Sequence, residues 1–549
     1  MLNNDHESFA AAQARAAAAV SCESVVLPSG LTVLCRTMPG YSSVHAIYAT
    51  GFGSVHRAFR LDGKQITLPA GTAHFLEHKM CETPKGDSFT FYAKTGASAN
   101  AFTSYDRTCY LFSATQKIDE NLDILLGMVG KPWFTKATIA KEQGIIGQEI
   151  KMYDDSPDWR LLNALFRCLY ADHPLRDDIA GTVESIAELT PQMLYSCTRG
   201  FYAPSNMVLS VAGKITLAQA VDACKRNGLY RARAPHEVEW DIPAQTGPLP
   251  HKEAFFTMPV TKPCFGVAYR EEPLAEGDLK RELLLDMLGD LVVGGLTKLY
   301  RRLYDEALVN PEFSGDFIAV RGACAVAFTG ESDTPREVVD LLQAEIERLR
   351  TEGIEPEVFT LVKNQVYGGL LGDVEAIDDA AEEAAAAYLK GRTLADEIAA
   401  LAALTVDDAN ELLRTALVLP PRARRVLCVW AAVPGLVCAP FAFWQSVWAG
   451  AVFCIVWAAL VALVRARCCS FVAALTADSI TVQAGVAVPV LRRIPRRAVT
   501  GVQLLRTPLL WAAGCTVLLV RSPGLQLVLP GIPAAQATAL AAVLMEGDV

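Results

Sequence analysis

Apolar positions follow three different rhythms along this chain. Between Lys136 and Tyr153 they recur three and four residues apart, the spacing of a helix with one face in a core. The same rhythm predicts helices over Leu279–Leu308, Pro335–Glu352 and Pro356–Leu371, and further helical runs at EEAAAAYLK and TVDDANELLRTAL. Short strand-like stretches stand at FFTMPV and CFGVAYR, and alternating runs broken by Gly and Pro fill Leu475 to Pro533. The third pattern is an unbroken one. From 426 to 464 the chain holds 39 residues without a charge, enough for two spans of about 20 residues each. Trp444 and Trp448 bracket a polar centre there, and Arg422, Arg424 and Arg425 precede the run as Arg465 and Arg467 follow it. Aromatic anchors at a turn and basic flanks predict a transmembrane hairpin with both ends on the cytoplasmic side. A pair of buried core helices is the other reading of the same run.

Composition sharpens this picture in two ways. From Pro420 onward there are eleven Arg, no Lys and three acids, a net of +8, whereas the first 419 residues carry a net of −18. An acidic body joined to a basic tail suggests two environments. The fifteen cysteines are scattered, without the spacing of a disulfide framework, which is the usage of a reducing compartment. With 549 residues the chain has room for three or four domains. Its first twenty residues lack a basic start followed by an apolar core, so a short tail is expected there and no secretory signal.

The candidate chemistry lies in AHFLEHKM, residues 73–80. His74, Glu77 and His78 are spaced i, i+3, i+4 and share one helical face. Two imidazoles one turn apart can chelate zinc, and a catalytic site then needs a third protein ligand and an open position. Glu77 would be placed to take a proton from water. A structural pair of histidines fits the five residues equally. Downstream, Glu142 and Glu149 are two helical turns apart within KEQGIIGQEIK. Ile145, Ile146 and Ile150 are expected to draw Glu149 toward the core, where a carboxylate is costly unless paired or metal-bound. Two solvated acids on an amphipathic helix are the alternative.

HFLEH followed by EQGIIGQEI resembles the insulinase/pitrilysin family of zinc metallopeptidases, the inverzincins, and within it a YmfH-like bacterial subgroup. GASANAFTSYDRTCYLFSA (Gly96 to Ala114) is similar to the family's substrate-side edge strand, FYAPSNMVLSVAGKI to the last strand of its catalytic domain, and LPSGLTVLC to its opening strand. The resemblance implies Zn2+ on His74, His78 and Glu149, Glu77 as general base, and Glu142 as a second catalytic acid that orients a ligand or handles protons. It implies that Asn100 and Ala101 hold an extended peptide by strand addition. Cys81 is either near the site or, as is commoner, an inert buried thiol. In the second unit Tyr304 stands where relatives present Arg, and Phe313 or Asn310 where they present Tyr; Arg301 and Arg302 are nearby, and none of these is assigned a role.

The fold implied is α+β: two homologous insulinase-type α/β sandwich units, then the transmembrane helical hairpin and a small β-rich domain. That last domain is similar to bacterial PH-like domains of YdbS type, with Arg492, Arg493, Arg496 and Arg497 as candidates for anionic lipid headgroups. The expected plan is a tail at 1–20, the zinc unit at 21–230, a linker at 231–253, the second unit at 254–418, the hairpin at 426–464 and the PH-like domain at 470–545. The expected partners are a peptide substrate, a second insulinase-like half in a hetero- or homodimer, and membrane lipid, with no nucleic acid. The expected location is the cell inner membrane, multi-pass, with the peptidase and PH-like domains in the cytoplasm. Three functions compete: a membrane-anchored zinc endopeptidase, a partner-dependent or non-catalytic peptide-binding half, and a membrane scaffold acting through the PH-like domain.

Overall fold

The strands that organise the first unit each alternate between two faces. In the computed structural model, which describes residues 20–232, 236–240, 242, 249–417, 453–460, 462 and parts of 472–544, a six-stranded sheet is built from β1 (Glu23–Val26), β2 (Thr32–Thr37), β3 (Val44–Thr50), β4 (Ser98–Thr103), β5 (Thr108–Ala114) and β6 (Met207–Gly213). Their spatial order is β1-β2-β6-β3-β5-β4. The segment expected to be an edge strand, Gly96 to Ala114, is in fact a hairpin of β4 and β5 in which β4 alone is the edge. The expected last strand, β6, lies in the middle, parallel to β2 and antiparallel to β3.

Both faces of this sheet are covered, which is why β3 and β6 are buried along their whole length. Val33, Ala46, Tyr48, Tyr110, Phe112, Leu209 and Val211 point into one core with Phe75, Leu76, Ile146 and Ile150. Those four belong to α1 (Thr72–Met80) and α2 (Lys136–Asp154). The intervening residues Leu34, Ile47, Ala49, Cys109, Val208 and Ala212 point the other way. They meet Ala380, Ala381, Ala384, Ala385 and Ala387 of a helix from far along the chain, labelled α5 below (Ile377–Leu389). The alanine run thus has a job: side chains this small let the helix lie close on the sheet. Thr32 and the Tyr388 hydroxyl hydrogen-bond at 2.6 Å across the same junction. Ala381 is about 1% exposed, so Ala381→Leu is expected to cost about 1–3 kcal/mol through overpacking. An unchanged thermal unfolding midpoint would show that α5 is not seated there.

The second half of this unit has a smaller sheet of β7 (Cys264–Glu271), β8 (Ser314–Val320) and β9 (Ala323–Glu331), ordered β7-β9-β8 and all antiparallel. FFTMPV does not join it. The helical run from Leu279 breaks at Gly294, leaving α4 (Leu279–Val293) and a separate helix Lys298–Asp305. The exchange of helices is reciprocal. Helix α3 (Pro157–Leu169), from the first half, packs Phe166 and Leu169 with Tyr170 and Leu175 against Ala323 and Ala325 of β9. The Tyr170 hydroxyl donates to the Cys324 carbonyl at 3.0 Å.

The chain forms two compact units, Met1–Leu342 with Pro356–Leu404 and Gln343–Glu355 with Thr405–Val549. In the second, described antiparallel strands include Ser479–Ala484, Val490–Pro495, Cys515–Ser522 and Leu525–Pro533. Ile494, Leu518, Val520, Leu527 and Leu529 form its core with Leu540 and Leu544. Residues 1–19 of the expected tail at 1–20 and much of the expected linker lie outside the described residues, as do Arg496 and Arg497.

The transmembrane hairpin requires correction. Most of 426–464 lies outside the described residues, and the described part is a helical segment at 453–460. Among the described residues no helix is long and apolar enough to cross a membrane. The multi-pass inner-membrane location inferred from the hairpin loses its support with it. The physical reason is that an uncharged run reports composition, whereas a span also needs helical continuity. Pro434, Gly435 and Pro440 within the run oppose such continuity.

Candidate metal centre

Two helices bring the candidate residues together. In α2, Ile139, Glu142, Ile146, Glu149 and Tyr153 are separated by alternating steps of three and four, so one face carries both acids between apolar residues. The helix is started by Thr135, whose hydroxyl accepts from the Thr138 amide at 3.2 Å in a capping box. Helix α1 is buried along nearly its whole length. Its N-cap, Gly71, has φ +85°, and a Cβ there would stand 2.4 Å from the Ala180 carbonyl oxygen. Gly181, with φ +75°, faces back in the same way, 2.5 Å from the Ala70 oxygen. Two backbones therefore touch where only glycine fits, and the Ser185 hydroxyl donates to Ala70 O at 2.9 Å. This contact fixes the start of the helix that bears His74.

His74 Nε2 lies 3.7 Å from Glu149 Oε1, and His78 Nε2 lies 3.5 Å from Glu149 Oε2. The two imidazole centroids are 4.7 Å apart. His78 Nδ1 donates to Glu142 Oε1 at 3.2 Å, which leaves the Nε2 lone pair facing Glu149. The Thr103 hydroxyl donates to Glu77 Oε2 at 3.2 Å, and the Tyr153 hydroxyl to Glu149 Oε1 at 2.7 Å. All of these groups line an open cleft of about 530 Å³, together with Asn100, Ala101 and Phe102 of the edge strand β4.

Charge is concentrated in this cleft. Burial pushes the Glu77 carboxyl up, against the opposing pull of His74, His78 and the Thr103 hydroxyl. The His74 imidazole beside Glu149 outweighs its burial and, with the Tyr153 hydroxyl, holds it down at about 2. Burial alone would lower His78, yet its hydrogen bond to Glu142 and the charges of Glu77, Glu149 and Glu142 raise it. Burial would raise Glu142, and the bond to His78 lowers it instead. Three carboxylates around two imidazoles suit a cation. Ligand atoms held 2.0–2.1 Å from a tetrahedral zinc stand roughly 3.3–3.5 Å apart, close to the 3.5 and 3.7 Å found between the imidazoles and Glu149. His74, Glu77 and His78 also have donor atoms within 4.8 Å of one another. Both carboxylates are thus within reach of the two imidazoles: Glu149 turns one oxygen toward each Nε2 atom, while Glu77 accepts from Thr103. Zinc fits this donor set.

The structure thus brings together His74, Glu77, His78, Glu142, Glu149, Asn100 and Ala101. Cys81 lines the cleft as a buried thiol that burial pushes up, with its sulfur toward the Glu77 carbonyl at 3.7 Å. The second-half positions stay away from it. Tyr304 is half-exposed, Phe313 is buried, Arg302 pairs with Glu306, and neither these nor Arg301 lines the cleft. Sequence reasoning missed Tyr153, Trp159 and the Asp177–Gly181 loop. Tyr153 was detectable, four residues after Glu149 and therefore on its face; the others come together only through the tertiary fold.

Comparison with known proteins is consistent with this geometry. Residues 67–183 match the family described as insulinase (peptidase family M16), 188–366 match the M16 inactive domain, and 421–547 match the bacterial PH domain. The zinc protease YmfH of Bacillus subtilis is 34% identical over 397 residues, 71% of this chain and 92% of that protein. The crystal structure of an M16-like peptidase from Alicyclobacillus acidocaldarius superposes with a TM-score of 0.69 at 32% identity, covering 72% of this chain and 94% of that one. The periplasmic protease PqqL of Escherichia coli shares the fold at a TM-score of 0.53 and 19% identity; the match covers 72% of this chain and 46% of PqqL.

Proposed function

This chain belongs to the insulinase (M16) family, whose members use Zn2+, and we propose that it is a zinc-dependent endopeptidase acting on peptides or small unfolded polypeptides. The observation that carries the reading is the presence of both a ligand set and a separate base. His74, His78 and Glu149 would hold zinc, while Glu77 lies beside them on its own hydrogen bond from Thr103. When bound, the ion polarises the scissile carbonyl and lowers the pKa of water. Glu77 then accepts the proton of the attacking water on the oxygen that Thr103 does not hold and delivers it to the leaving amine. Glu142 orients His78 by taking its Nδ1 proton in a hydrogen bond. The substrate backbone pairs with the open edge of β4 at Asn100 and Ala101, a mode tolerant of sequence because main-chain groups supply it.

The cleft walls come from residues 74–180, and the second half, similar to a domain described as inactive, adds none of them. That observation favours a partner-dependent form of the same reading, in which a second insulinase-like half closes over the cleft. The test is mass spectrometry of an unstructured peptide incubated with the full chain, alone and with the partner that copurifies from its native cells. Internal cuts that vanish on chelation and return with zinc are expected. Cuts indifferent to chelation, or none in either preparation, would refute the proposal.

A further inference from the structure

Tyr153 and its neighbours form a chain of contacts that the proposed reaction does not use. The Tyr153 hydroxyl donates to Glu149 Oε1 at 2.7 Å, and its ring stacks on Trp159 with centroids 4.8 Å apart and planes 21° apart. Trp159 Nε1 donates to Asp178 Oδ2 at 2.5 Å, and Asn163 Nδ2 donates to the same oxygen at 3.0 Å. The other oxygen, Asp178 Oδ1, accepts from the Ala180 amide at 2.9 Å. Ala180 is the residue whose carbonyl meets Gly71 at the start of α1. The circuit therefore runs from the Glu149 carboxylate, through two rings and one hydrogen-bonded acid, to the loop that pins the helix of His74 and His78. Trp159 is set in place by a helix start of its own, with Ser156 as cap and Pro157 in the first turn.

We infer that Tyr153 is a positioning residue for the Glu149 carboxylate, and that Trp159 and Asp178 hold it there, tying the ligands on α1 and α2 to one loop. The inference rests on Glu149 being a zinc ligand, as proposed above. A carboxylate has free rotation about its last bond, and a ligand that must meet two Nε2 atoms at once gains from a donor that fixes one oxygen. Glu149 keeps about 23% of its side chain exposed and has no backbone amide to do this, since it lies in the middle of a helix. Tyr153, one turn on, supplies the hydroxyl, and the stack on Trp159 removes the ring's own freedom.

The experiment measures zinc dissociation constants of the full-length protein by competition with a chromophoric chelator, beside the melting midpoint of the metal-free form. Tyr153→Phe keeps the ring stack and loses only the hydroxyl. It is expected to weaken zinc binding about 10- to 100-fold with the metal-free midpoint unchanged. Trp159→Phe, which loses the bond to Asp178, is expected to fall between that variant and wild type, and Met152→Ala, on the exposed side of α2, to match wild type. Affinity of Tyr153→Phe within about twofold of wild type would overturn the inference. So would a metal-free Tyr153→Phe protein that melts well below wild type, because lost packing would then explain the effect. If wild type takes up no zinc, the assignment of Glu149 falls and this inference falls with it; zinc on wild type with unchanged affinity in Tyr153→Phe sinks the positioning role alone.

Discussion

Glu77→Gln is expected to lower peptide cleavage by about 10²–10⁴-fold while leaving zinc bound at an affinity close to wild type. Glutamine has the same shape and keeps an oxygen that can accept from Thr103 at the 3.2 Å contact. What it cannot do is accept a proton from water and pass it on. Burial already pushes the Glu77 carboxyl up, which makes it a better proton acceptor than a solvated glutamate, and a cation beside it would draw it back toward the charged form. The base is thus tuned between two opposing influences, and the substitution removes it without touching Glu149. The two measurements together also decide between assignments. Loss of zinc along with activity would make Glu77 a ligand, as its proximity to both histidines allows, and the base would have to be sought elsewhere. Cleavage at the wild-type rate would end the mechanism.

The parts of this site legible in the sequence are those set by helical period. His74, Glu77 and His78 share a face because of their spacing alone, and so do Glu142 and Glu149. The meeting of the two helices was not legible from spacing; it rested on family resemblance and on the expectation that three isoleucines would bury Glu149. Ile146 and Ile150 do enter the core, but Ile145 is 48% exposed and lines the cleft instead. Glu149 is therefore held at a rim, which is where a ligand with access to substrate must be. The alanine run was legible as a helix and not as the cover of the first unit's sheet, since the small side chains only acquire meaning against Ile47 and Val208. Gly71 and Gly181 carried no signal because the partner of each is the carbonyl of the residue preceding the other, about 110 residues away in the chain. The hairpin failed for a different reason. Hydropathy and flanking arginines describe how a segment partitions, and the described residues contain no helix that would use that tendency to span.

His78→Ala is expected to weaken zinc binding on the order of 10²–10³-fold if the apparent binding energy of a protein zinc site is shared among about four ligands. His78 contacts both acids of α2, through Nδ1 to Glu142 and Nε2 to Glu149. Without it Glu142 loses the hydrogen bond that lowers it, and two carboxylates are left on one helix face with fewer cations between them. The metal-free variant is expected to fold, since α1 is anchored at Gly71 and by Phe75 and Leu76 in the core, none of which involves His78. Zinc should raise the melting midpoint of the wild-type protein by mass action and raise that of His78→Ala much less at the same concentration. A His78→Ala protein that gains as much stability from micromolar zinc as wild type does would place the metal elsewhere, on a set such as Glu77, His74 and Glu149 that does not need the second histidine. Glu142→Gln separates the two contacts: it removes only the orienting acid, so it should weaken zinc by less than His78→Ala does. Equal losses would mean that the aim of the imidazole, and not its presence, is what α2 contributes through Glu142.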